Sequence, residues 1–197
     1  LALPDNNGIA VHYSYPSIHG AWIVDGKVAD RVTYHTSESF DRFKANNSGW
    51  LELLRDCGLQ FDFIPYSSVE KGGLIEKGYR TFILPMSYAL SQAETDEIVK
   101  FVEAGGTVIA DGLPGVMDEH CAFRDNPKLH KLFGIKTGPS SASQIKAGAG
   151  DLDLKPEGAQ VLNSKDKKSM LMVNRYGKGQ AWLLNYFHDS YAEDKLN

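Results

Sequence analysis

Residues 81–112 read TFILPMSYALSQAETDEIVKFVEAGGTVIADG, and this stretch decides the fold class. Thr81–Leu84 is apolar enough for a central strand, and Pro85 ends it because proline offers no amide to a sheet ladder. Ser91 and Glu94 have the spacing of a capping box, in which the serine accepts from the N3 amide and the glutamate reaches back. Ile98, Val99, Phe101 and Val102 then form a buried helical stripe, with Asp96 and Lys100 as a favourable i,i+4 pair. Gly105–Gly106 closes the helix and Thr107–Ala110 starts another strand at once. Strand, helix and strand joined this tightly make a right-handed βαβ unit and therefore a parallel sheet. The class is α/β.

Working upstream, Gln60–Ile64 reads as a strand stopped by Pro65. It follows a helix in which Trp50, Leu51, Leu54 and Cys57 share one face, with Gly58 as the left-handed terminator. On this reading Cys57 is a small buried hydrophobe. Ile9–Tyr13 is a further buried strand, followed by a turn or short helix around 16–24. Residues 28–47 read as a long connection with a strand at Arg31–Tyr34.

Downstream of Asp111 the texture changes. Residues 112–120 form a loop and Pro127–Phe133 a short helix, while the small-residue stretch 137–150 is expected to be an exposed loop. Ser169–Asn174 and Gln180–Tyr186 flank a Tyr-Gly-Lys-Gly turn, a β-hairpin added to the sheet's edge or crossing it. The tail from Phe187 is polar with isolated aromatics and is expected to dock elsewhere. All 197 residues are taken as a single domain.

Composition narrows the function. With 21 Lys and Arg against 25 Asp and Glu, and a net charge of −4, nothing pulls the chain toward nucleic acid or an anionic membrane. Lys165, Lys167 and Lys168 are a solvated turn. No apolar run reaches the ~20 residues of a membrane span, and no basic-then-apolar segment is read at the start. Two cysteines cannot form a disulfide framework, so a reducing compartment, the cytoplasm, is the expected location. The chain is too short for a complete (β/α)₈ barrel, which needs about 250 residues. It opens on Leu1 rather than Met, and the expectation is a portion of something longer.

In an open parallel sheet, ligands sit outside the carboxyl ends of the strands. That makes Ser14 and Tyr15, Ser87 and Tyr88, and Asp111 with Gly112 the first candidates for a pocket. No GxGxxG, GxxxxGK[ST] or GxSxG occurs, so nucleotide cradles and a serine elbow are missing. Asp118-Glu119-His120-Cys121 gathers metal-binding side chains, but contiguous residues lack the spacing of a zinc site, and neither metal nor cofactor is expected. Neither cysteine is placed as a nucleophile at a strand tip. Tyr13, Tyr15 and Trp22 gather at the exit of the first strand, where they line either the core, a protein interface or a sugar-contacting surface.

The ordered series AVHYSYPSIHGAWI (10–23), SGWLELLRDCGLQFDFI (48–64), FILPMSYALSQAE (82–94), IVKFVEAGGTVIADGLPG (98–115) and YGKGQAWLLN (176–185) resembles the trimerisation domain of family-42 beta-galactosidases, a branch of the class I glutamine amidotransferase-like superfamily. The resemblance runs from Gly8 to Asn185 and is weak over 28–47 and 137–164. It implies a flavodoxin-like three-layer sandwich. It also implies a non-catalytic chain, because the relatives' catalytic cysteine follows the strand matching Thr107–Ala110, where this sequence has Asp111 and Gly112. Asp111 is then expected to cap the turn that follows it. The partners implied are further copies, three by resemblance, or a glycoside hydrolase barrel of the same polypeptide.

Two rival readings follow from the residues. A small hydrolase or amidase would join Ser87, Asp111 and His120 at the strand tips, with His120 within hydrogen-bond reach of one of the others. A carbohydrate-binding module would use Tyr15 and Trp22 as stacking platforms.

Overall fold

The computed structural model describes residues 6–25, 38–136, 152 and 154–195. The expected strand at Arg31–Tyr34 and the expected loop at 137–150 lie outside the described residues.

Seven strands form one sheet in the order β2-β1-β3-β4-β7-β6-β5. They are β1 (Ile9–Tyr13), β2 (Asp62–Pro65), β3 (Thr81–Leu84), β4 (Thr107–Asp111), β5 (Gln160–Lys165), β6 (Lys168–Tyr176) and β7 (Gly179–Leu184). β2, β1, β3, β4 and β7 run parallel, with Ile9 opposite Thr81, Thr81 opposite Thr107 and Thr107 opposite Gln180. β6 and β5 complete the sheet antiparallel. This is the expected mostly parallel α/β sheet with its C-terminal hairpin. The hairpin is added at the β4 edge of the parallel strands, one of the two expected placements: β7 lies beside β4, and β6 and β5 extend outward from it. A Cβ on Gly179 would overlap the carbonyls of Gly106 and Val102, so only glycine lets β7 come this close to the end of the preceding helix.

The helices are α1 (Tyr15–Asp25), α2 (Glu38–Asp56), α3 (Tyr66–Val69), α4 (Gly73–Glu76), α5 (Gln92–Glu103), α6 (Lys128–Phe133) and α7 (Tyr191–Asp194). Alternation along the strands divides the core. Phe82, Leu84, Val108, Ala110, Ala181 and Leu183 point to one face, where they meet Ile98, Phe101 and Val102 of α5, Ala21 and Val24 of α1, and Leu129 and Phe133 of α6. Ile9, Val11, Ile83 and Leu184 point to the other, against Trp50 and Leu54 of α2. The result is the expected three layers.

Ser91 and Glu94 form the capping box of α5 with both reciprocal bonds present. Four local expectations are corrected. α2 begins at Glu38, so much of the presumed connection over 28–47 is helix; its polar sequence hides the stripe. Cys57 is exposed, because α2 ends at Asp56 and the chain turns outward one residue before its register would bury it. Asp96 pairs with Lys128 at 2.6 Å, and Lys100 with Glu97 at 2.6 Å, a tertiary partner displacing the helical one. Strand β2 starts at Asp62 rather than Gln60, which is exposed.

The tail docks on α2. The His188 amide donates to Asn46 Oδ1 at 2.6 Å, and the His188 ring meets Trp50 edge to face at 4.5 Å. A side chain at position 49 would overlap the His188 carbonyl, so Gly49 gives the tail its seat.

Candidate functional site

The carboxyl rim of the sheet is built from side chains that serve the fold. Asp111, at the end of β4, is fully buried. Its carboxylate accepts from Trp50 Nε1 at 2.6 Å, Asn46 Nδ2 at 2.8 Å and the Met86 amide at 2.6 Å. It thus ties β4 to α2 and to the turn after β3, which corrects the expectation that it caps the turn following it. Burial pushes its carboxyl up to about 6 even though these donors favour the charged form. Ser14 Oγ accepts from the Ser17 amide at 3.2 Å, an N-terminal cap for α1. Tyr88 and Gly112 are buried.

Ser87 does meet an imidazole, but not the expected one. His120 is exposed and makes no hydrogen bond to Ser87 or Asp111. The partner is His12 of β1, whose Nδ1 lies 2.9 Å from Ser87 Oγ and whose Nε2 lies 2.9 Å from Glu94 Oε1. With Glu94 ionised, Nε2 carries the proton and Nδ1 accepts from the serine hydroxyl. Glu94 Oε2 accepts from the Ser91 amide at 2.7 Å, and Ser91 Oγ donates to Glu70 Oε1 at 2.7 Å.

The order serine, histidine, acid is that of a nucleophile relay. Here the relay is sealed: Ser87 is 1% exposed, the His12 side chain 1% and the Glu94 side chain 0%. A nucleophile must reach its substrate, and this one faces protein; the cluster works as a polar clamp joining β1, β3 and α5. Its signal was present in the sequence. His12 sits in an apolar strand, and Glu94 precedes Ile98, Phe101 and Val102 by four, seven and eight residues, on the buried stripe. A carboxylate and an imidazole committed to the same core each lose water there and gain by pairing with one another.

His130 of α6 is also buried, and neither of its ring nitrogens has a hydrogen-bond partner. Desolvation holds it down at about 4. Among the described residues no cluster of three or more His, Cys, Asp or Glu is placed to hold a metal ion, and no helix is long and apolar enough to cross a membrane.

The open surface lies at the β1 exit, next to His12 and Ser14. Tyr13, Tyr15, Trp22, Ile23 and Phe63 are exposed, Tyr15, Trp22 and Phe63 by more than half. Beside them runs a groove of about 590 Å³, walled by Tyr13, Ile18, Phe43, Leu51 and Phe63 and edged by Ser14, Lys44, Asn47 and Ser48, with the buried His12 at its base. Helix α1 explains the patch. At 100° per residue Ser17, Ala21 and Val24 face the core, while Tyr15, Trp22 and Ile23 face out. A helix apolar all round is one whose second face also wants cover. The rings of Tyr13 and Tyr15 meet edge to face at 71°.

Fold and rim together define an α/β domain in which His12, Ser87, Glu94 and Asp111 are committed to its own interior. Its family follows from comparison: residues 25–196 match the description Beta-galactosidase trimerisation domain, and the chain belongs to that family. β1 and nearly all of α1 precede the matched segment. Among solved structures, a beta-galactosidase from Rahnella sp. is 21% identical, with 96% of this chain and 31% of that one covered at a TM-score of 0.60. A GH42 beta-galactosidase from G. stearothermophilus, a catalytic mutant, is 18% identical, with 98% and 30% covered at 0.62. An exo-beta-1,4-mannosidase from an Opitutaceae bacterium is 12% identical, with 95% and 32% covered at 0.57. At such identities the likeness is one of fold. The chain spans about 30% of the length of these relatives.

Proposed function

We propose that this chain is a single association domain that holds together copies of the polypeptide carrying it, three in number as the family's description suggests. That polypeptide is a glycoside hydrolase of the beta-galactosidase type, and its catalytic carboxylates belong to a barrel rather than to this domain. One observation carries the reading: the polar groups at the strand ends are sealed, whereas a contiguous aromatic surface stands open on α1 and β2. Patches of this kind mark protein contacts. Both cysteines are free, and Cys57 is exposed, which supports a reducing compartment such as the cytoplasm.

Light scattering during gel filtration tests the reading. A mass near three times 21.8 kDa is expected at tens of micromolar; a particle of one copy at every concentration overturns it.

A further inference from the structure

We propose that Asn46 is a two-position relay: a proton taken up by Asp111 turns the Asn46 side-chain amide, and the turn releases the strap of residues 186–195 from the carboxyl rim of the sheet.

The strap and the buried carboxylate share their partners. Asp111 Oδ2 accepts from Asn46 Nδ2 at 2.8 Å and from Trp50 Nε1 at 2.6 Å. The same two side chains of α2 seat the strap. Asn46 Oδ1 accepts from the His188 amide at 2.6 Å, and Trp50 meets the His188 ring edge to face. One residue earlier, a Cβ on Gly112 would come within 2.9 Å of the Phe187 ring, so the strap also lies on the residue that follows Asp111.

Hydrogen-bond chemistry leaves one way to accommodate a proton here. Among the described residues, every group bonded to the Asp111 carboxylate is a donor: the Asn46 amide, the Trp50 indole, the Met86 backbone amide and its own backbone amide. A carboxyl that gains a proton becomes a donor at one oxygen and needs an acceptor there. An indole and a backbone N–H only donate, whereas a carboxamide presents N–H on one side and C=O on the other. Asn46 alone of the four reverses, by turning about its last torsion. It is fully buried, so bulk water does not stand in for it. The reversal aims Nδ2 at the His188 N–H, donor against donor, and that bond is lost.

The rest of the strap holds weakly. Tyr191 Oη donates to Asp56 Oδ2 at 3.2 Å, and Lys195 Nζ pairs with Glu52 and Asp56 at 3.1 Å each; surface pairs of this kind contribute little. Lys195 keeps the Asp56 carboxyl below its ordinary range, so that end stays paired as acid is added. No charged side chain is among the causes that set Asp111: burial raises it to about 6 against the four donors. On the strap, burial lowers the His188 ring while Asp189 opposes that, and the Arg42 guanidinium stands over the Phe187 ring at 5.8 Å.

The test follows the full chain, labelled with nitrogen-15 and carbon-13, by NMR from pH 7.5 down to 4.5. The Asp111 carboxyl carbon reports that residue's own proton. Above its midpoint a cross-peak is expected between the Asn46 Nδ2 protons and the Trp50 indole proton, because both face Asp111 Oδ2; below the midpoint it should vanish. Over the same step the His188 amide, corrected for intrinsic exchange, should lose about tenfold of its protection. Asp111→Asn carries a donor at that place at every pH, so the same amide should be poorly protected throughout. A cross-peak that persists below the midpoint, or a His188 amide equally protected on both sides of it, overturns the relay. So does a His188 amide that follows its own ring carbon rather than the Asp111 carboxyl, or an Asp111 that takes up no proton before the fold is lost. In Asn46→Leu the amide should no longer follow the carboxyl; if it still does, the coupling runs through Trp50 and the relay is overturned. The wild-type readings decide the matter should either variant fail to fold.

Discussion

Two buried groups push the acid response of this domain in opposite directions. His130 titrates at about 4 in the fold against 6.5 ordinarily. Between those values the unfolded chain holds a proton that the fold does not, so stability falls as pH drops from 6.5 toward 4. Asp111 titrates at about 6 in the fold against 3.8. There the fold holds the extra proton, so its contribution is present below 3.8 and is lost as pH rises through 6. Each effect is worth roughly 3 kcal/mol over its window, and the windows overlap. Urea unfolding at pH 4, 5, 6 and 7 is expected to give the wild-type protein a shallow profile. In Asp111→Asn the opposing effect is gone and His130 acts unopposed, in the same direction as His188, which burial also holds below its ordinary value, so stability should drop by about 3 kcal/mol more than in the wild type between pH 6.5 and 4. His130→Phe should invert the trend and lose stability from pH 4 to 6. Parallel profiles in all three proteins would contradict these assignments.

At the scale of elements, α5 depends on more than its cap. Ser91→Ala removes the side chain that accepts from the Glu94 amide, a loss of about 1 kcal/mol for a cap of this type. Glu94→Ala removes the reciprocal bond and also leaves His12 Nε2 buried without its acceptor, so a cost of about 3 kcal/mol is expected. Urea midpoints at neutral pH give the comparison; equal losses would mean that His12 contributes nothing through Glu94. The tail is a second element that acts through a neighbour. Ending the chain at Tyr186 strips His188 from Asn46 and Trp50 and uncovers a Trp side chain in the second core. A loss of about 2–3 kcal/mol is expected, seen as an earlier thermal transition.

Across the whole molecule, what the sequence revealed and what it concealed divide by the range of the interactions. The βαβ unit over 81–111 was legible because its signals are local: an apolar run, a proline, a capping box, a glycine pair. The layer arrangement followed from it and from the resemblance. The place of β7 beside β4 was not legible, since a hairpin pattern says nothing of which strand its second arm will join; that depends on Gly179 nestling against the end of α5. The rim was half legible. Strand ends named Ser14, Ser87 and Asp111 correctly as neighbours of the sheet's edge, but their partners are distant in sequence: His12 bonds Ser87 across 75 residues and Trp50 bonds Asp111 across 61. No spacing rule reaches that far. Tyr13 and Trp22, by contrast, were singled out by residue type and by their place at the exit of the first strand; both are on the surface, so of the readings open to them core filling is excluded.

The bond from the Trp50 indole to Asp111, 2.6 Å long, has a consequence for anyone who studies this domain in solution. The molecule contains three tryptophans, and each stands in a different place: Trp22 at the open aromatic surface, Trp182 on β7, and Trp50 beside a carboxylate that changes charge near pH 6. In a nitrogen–proton correlation spectrum the Trp50 signal should move as acid is added through that value. The Trp22 signal should ignore acid in that range and instead broaden with concentration. One nitrogen-15-labelled sample would thus read proton uptake in the interior and encounter between copies as separate resonances.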